Sequence, residues 1–109
     1  MCEYRGMSTL GTVVHIVLTQ WRGDAPSESI AQMRELIRRF SAEIPGIVSV
    51  VEGPSVSPEG LEGGFEWALV VTFESAAARD GYLDHPTHLP VAALIGECAE
   101  HVIVFDVSI

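Results

Sequence analysis

The chain has 109 residues, a formal charge of −9 and only six cations, all of them arginines. That length fits one domain with one core, and at 48% hydrophobic the chain is too apolar for disorder. Scattered arginines form no phosphate-neutralising patch, which excludes nucleic acid and anionic membrane surfaces as partners, and no apolar run nears the roughly 18 residues of a membrane span.

Residues 1 to 11 show no periodicity and read as a flexible N-terminal extension, with residues 12 to 109 forming the domain. The extension has no apolar core of signal-peptide length, so the expected location is cytoplasmic. Thr12 to Trp21 is rich in β-branched residues and reads as a strand. Val13, His15, Val17, Thr19 and Trp21 share one face; Val14, Ile16, Leu18 and Gln20 share the other. After a turn, Ser27 is placed to cap a helix, and Ile30, Met33, Ile37, Phe40 and Ile44 follow at helical spacing. Pro45-Gly46 ends it. Ile47 to Glu52 is a second strand, and Gly53 to Gly64 is a glycine- and proline-rich loop.

Phe65 to Glu74 is a third strand, with Phe65, Trp67, Leu69, Val71 and Phe73 on one face. Ser75 is placed to cap a helix that runs to Asp84, where His85-Pro86 breaks it. Leu89 to Glu100 reads as a further helix and Val102 to Val107 as the last strand. Cys2 and Cys98 are too far apart in sequence to form a disulfide framework or a zinc motif.

The order β-α-β-β-α-(α)-β predicts an α+β fold, with a four-stranded, mostly antiparallel sheet and helices on one face. Strands one and three are apolar on both faces, and the helices cover only one. The other face needs an apolar partner, which predicts a homodimer through sheet-to-sheet packing.

Several residue groups, in this order, resemble a known family. His15-Ile-Val-Leu opens the first strand, Ile44-Pro-Gly-Ile47 joins helix to strand, and Phe73-Glu-Ser75 ends the third strand. Tyr82-Leu-Asp-His85-Pro-Thr-His88 follows, with Val104-Phe-Asp106 near the end. Together they resemble the stress-responsive dimeric α/β-barrel (Dabb) domain family, including its olivetolic-acid-cyclase-like members. The resemblance implies a ferredoxin-like protomer forming a dimeric α/β barrel. It also implies aldol-type cyclisation of a polyketide without metal or cofactor. On that resemblance, His88 is the general base and Tyr82 the phenol that binds the substrate carbonyl.

The residue types suit those roles: neutral imidazole accepts a proton near pH 7, and a phenol donates to a forming oxyanion. The structural alternatives are a core-filling Tyr82 and a His85 that bonds the last carbonyls of its helix. His15 stands mid-strand, either as a satisfied core histidine or, as the resemblance implies, beside the pocket. Phe65 and Trp67 replace the tyrosine and histidine of cyclase-like members, which implies a more hydrophobic substrate-binding wall. Phe65 has core filling as its default alternative. No metal ligand set has diagnostic spacing, and no cofactor is expected. A chain without lysine performs no Schiff-base catalysis through that residue.

Three functions are consistent with these features. The first is a cofactor-independent acid–base enzyme acting on a small hydrophobic, polyketide-like carbonyl compound. The second is a non-catalytic ligand-binding or stress-related barrel, and the third a cofactor-free monooxygenase suggested by Trp67.

Overall fold

A computed structural model describes residues 11 to 109. Four strands, β1 (Val13–Trp21), β2 (Ile47–Pro54), β3 (Trp67–Phe73) and β4 (Ala99–Ser108), form one sheet in the order β2-β3-β1-β4. Every neighbouring pair is antiparallel. The described residues also form four helices: α1 (Ser27–Ile37), α2 (Phe40–Glu43), α3 (Ala76–Leu83) and α4 (Leu89–Cys98). This is the expected ferredoxin-like α+β fold. The expected N-terminal extension lies outside the described residues, apart from Gly11, whose N–H bonds to Ile109 O at 3.1 Å.

Strand alternation decides which side chains go under the helices. Val13, His15, Val17 and Thr19 of β1 are buried there, with Trp67, Leu69, Val71 and Phe73 of β3. Met33, Ile37, Phe40, Ile44, Tyr82, Val91 and Ile95 pack onto them. On the other side, register aligns Val51, Val70, Ile16 and Phe105 in one row across all four strands. Val51 and Phe105, at the two edges, are 64% and 62% exposed. The helices of the protomer leave this apolar row uncovered.

Several boundaries differ from the sequence pattern. The first helix breaks after Ile37, where Arg38 and Arg39 N–H reach back to Glu35 and Leu36 carbonyls in a tightened turn. The bend turns the next stretch so that Phe40 and Ile44 also reach the core. Ser27 does not cap α1; Pro26 holds that position and no side chain bonds the helix end. Ser75 does cap α3, its Oγ accepting from Ala78 N–H at 3.1 Å. β3 begins at Trp67 because Phe65 N–H turns back to Glu62 O at 3.2 Å, which takes Phe65 off the strand. β4 starts directly after α4, since its ladder with β1 extends from Ala99 opposite Trp21 to Ser108 opposite Val13.

Candidate functional site

The site grows from the C-terminal end of α3. Tyr82 points from that helix into the core, 1% exposed. Phe73 stands 4.9 Å from its ring centre, Phe40 at 5.5 Å and His15 at 5.5 Å. The helix closes with His85 N–H on Tyr82 O at 3.1 Å. A compact turn follows, because Pro86 cannot continue the helix. In it, Thr87 N–H donates to His85 Nδ1 at 3.0 Å and His88 N–H to His85 O at 2.9 Å. Thr87 Oγ1 donates to Glu43 Oε1 at 2.7 Å, tying the turn to α2. The His85 imidazole therefore caps the new turn as an acceptor through Nδ1, and only the His85 backbone N–H reaches a last carbonyl of α3.

The turn folds His88 onto Tyr82, with ring centres 4.1 Å apart and planes tilted by 33°. His88 Nδ1 meets Leu83 O at 3.1 Å. A carbonyl only accepts, so Nδ1 carries the hydrogen and the neutral ring keeps a lone pair on Nε2. Burial pulls the His88 pKa below the usual imidazole value. The Leu83 carbonyl opposes that shift, and nearby His15 and His85 add to it. The neutral, proton-accepting ring is thus the resting form at neutral pH.

Burial acts on Tyr82 in the other sense and pushes its phenol well above the ordinary range, so it remains a donor. Its hydroxyl is buried and has no hydrogen-bond partner among the described residues. An unpaired buried hydroxyl costs about 1–3 kcal/mol.

Behind Tyr82 lies an ionic chain that the sequence reading missed. His15 Nδ1 donates to Asp106 Oδ1 at 2.7 Å. Arg79 Nη1 holds the other Asp106 oxygen, and Arg79 Nε bonds Asp80 Oδ1 at 2.8 Å. One signal was present: Asp106 is a charge inside the apolar run Val102 to Val107, in register opposite His15. Nothing in the sequence marks Arg79.

Phe65 and Trp67 stand elsewhere. His15 pairs with Val71 and Thr19 with Trp67, which separates the indole from the histidine by about 13 Å along the sheet. Trp67 Nε1 donates to Glu52 Oε1 at 2.8 Å, an oxygen shared with Arg34 Nε at 2.8 Å. Its ring packs on Trp21 at 5.5 Å. Phe65 and Trp67 line an apolar hollow of about 230 Å³ with Leu18, Gly53, Pro54 and Ala68. The fold thus brings His15, Tyr82 and His88 together and leaves Phe65 and Trp67 at the other end. Among the described residues, no group of three or more His, Cys, Asp or Glu is placed to hold a metal ion, and no helix is long and apolar enough to cross a membrane.

Residues 13–109 match the family model of the Stress responsive A/B Barrel Domain. The stress-response A/B barrel domain-containing protein HS1 of Arabidopsis thaliana is 29% identical over 103 residues, covering 88% of each chain. A dimeric ferredoxin-like protein of unknown function from Jannaschia sp. CCS1 superposes with a TM-score of 0.81 at 23% identity, over 91% of this chain and 100% of its own. Hydroxynitrile lyase from Passiflora edulis superposes with a TM-score of 0.79 at 23% identity, over 90% and 93%. At that identity, these two structures speak for the fold alone.

Proposed function

Because the chain belongs to the stress-responsive A/B barrel domain family, we propose that it is a homodimeric, cofactor-independent acid–base enzyme. Its substrate is a small hydrophobic carbonyl compound of the polyketide type, and its reaction is of the aldol-cyclisation class. The observation that carries this reading is the stacking of His88 on Tyr82, with His88 Nδ1 committed to Leu83 O. His88 Nε2 takes an acidic proton from carbon between two carbonyls. The electron pair moves onto the carbonyl oxygen, and the Tyr82 hydroxyl donates to the enolate as its charge forms. The enolate carbon then attacks a second carbonyl, and His88 returns the proton to the new alkoxide. The Passiflora edulis neighbour, a hydroxynitrile lyase by name, is an enzyme on this fold.

The test compares wild type with His88→Ala and Tyr82→Phe on linear β-polyketones, with cyclised product measured by chromatography. Loss of about 10²-fold or more in kcat for each variant supports the reading. Wild-type turnover in both variants, or no turnover in any form, overturns it.

A second reading has its own observation. Tyr82, Phe40 and Phe73 are at most 1% exposed, so side chains fill the space beside the phenol. That filling favours a non-catalytic, small-ligand-binding or stress-related barrel. Trp67, the basis of the monooxygenase alternative, stands far from this cluster and adds nothing to it. A homodimer is supported by the uncovered apolar row on the sheet and by the dimeric description of the Jannaschia neighbour. A cytoplasmic location remains part of this proposal.

A further inference from the structure

His15 is the second imidazole of the site, and the Tyr82–His88 chemistry gives it no task. It is 4% exposed on a central strand, where a polar ring is tolerated only if hydrogen-bonded. A carboxylate only accepts, so the hydrogen shared with Asp106 Oδ1 belongs to His15 Nδ1. Arg79 prevents the carboxylate from turning away, because it grips the second Asp106 oxygen from α3. Asp80 in turn fixes the Arg79 Nε. His88 is arranged alike, with its Nδ1 committed to Leu83 O. In both rings, when neutral, Nε2 is left as an acceptor. The rings flank Tyr82, with centres 5.5 Å and 4.1 Å from the phenol ring.

We infer that Arg79 and Asp106 are positioning residues that hold His15 in its Nδ1–H form, so that two imidazole acceptors surround one phenol donor, a pattern complementary to a hydroxy-carbonyl compound. The carbonyl oxygen accepts from Tyr82, His88 Nε2 meets the acidic hydrogen, and His15 Nε2 accepts from the hydroxyl of the ligand. A simple ketone leaves one acceptor unused. A carboxylate sets lone pairs against both acceptors, and Arg79 is already engaged by two carboxylates. The ligand class rests on the functional reading above; the His15 tautomer does not.

The test has two arms. In the first, imidazole nitrogen resonances are recorded on the ¹⁵N-labelled protein at about pH 8, more than a unit above the ordinary imidazole value. His15 is expected with a protonated Nδ1 and a bare Nε2. In Asp106→Asn the side-chain amide also donates, and the Nε2–H form is expected to appear. Arg79→Met moves His15 the same way by less, Arg79→Lys restores it, and His88 is unchanged throughout. Arg79 is a helix-surface residue, so its variants keep this arm decisive if Asp106→Asn misfolds. A wild-type His15 in the Nε2–H form, or one that neither Asp106→Asn nor Arg79→Met alters, overturns the positioning role.

In the second arm, calorimetry compares an aliphatic β-hydroxy ketone with its deoxy analogue. Roughly tenfold tighter binding of the hydroxy compound is expected, with that preference lost in Asp106→Asn. Equal binding, or binding of neither, overturns the ligand class. Neither arm needs turnover, so failure of the cyclase assay alone leaves both results standing.

Discussion

Tyr82 carries a buried hydroxyl that is unpaired among the described residues, and that makes its substitution informative in two ways. Tyr82→Phe removes a group that costs stability in the folded state, so the melting temperature should hold or rise while activity falls. A drop of several degrees would mean that the hydroxyl has a partner and that the residue serves the core. His88 sets the pH behaviour. Its pKa lies below the ordinary value in the folded chain, so the unfolded chain binds the proton at higher pH. Acidification therefore favours unfolding, and stability should fall as the pH drops below the ordinary imidazole value of about 6.5. His88→Gln should flatten that fall in thermal melts; a slope identical to wild type would remove His88 as its source. The rate should follow the same direction, with kcat climbing as His88 loses its proton and no fall from Tyr82 near neutrality, since burial keeps the phenol protonated. Residue types at this scale were readable from sequence. The Tyr82–His88 pair was carried by its local motif, while Arg79 entered only through a contact with β4.

Among the elements, the join between α2 and β2 depends on a single glycine. Gly46 has φ +84°, and a Cβ there would collide with that of Ala78 on α3. The glycine lets the β2 entry pass directly beneath the helix that presents Arg79 and Tyr82. Gly46→Ala should cost roughly 1–3 kcal/mol in chemical denaturation. A cost under about 0.5 kcal/mol would show that α3 shifts freely and that the site tolerates it. Sequence periodicity placed α3 and its Ser75 cap because both are local signals. It missed the break after Ile37, where the apolar stripe runs on unchanged through two differently aimed helices. It also placed Phe65 on β3, because alternation continues past the point where the backbone has already turned. The family resemblance had joined Phe65 and Trp67 to the histidine site, and ladder register sets Trp67 four residue pairs along the sheet from His15.

The whole molecule is defined by what its sheet leaves open. Val51, Val70, Ile16 and Phe105 align across four strands with no helix over them. β4 is an edge strand whose Val104 and Phe105 are 58% and 62% exposed. An apolar edge of this kind invites pairing unless a partner covers it. Ile16→Glu combined with Phe105→Glu should convert the proposed dimer to a monomer in analytical ultracentrifugation. A variant that sediments as wild type would place the interface elsewhere.

By itself the sequence determined the order of strands and helices apart from the break after Ile37, the apolar surplus on two strands and the local cluster from Tyr82 to His88. These are short-range properties, set by alternation, capping and proline. Only the tertiary structure decided that His15 joins Tyr82, that Asp106 and Arg79 hold His15, and that Trp67 stands further along the sheet from them. Those are contacts between residues distant in the chain, and ladder register and helix packing bring such residues together.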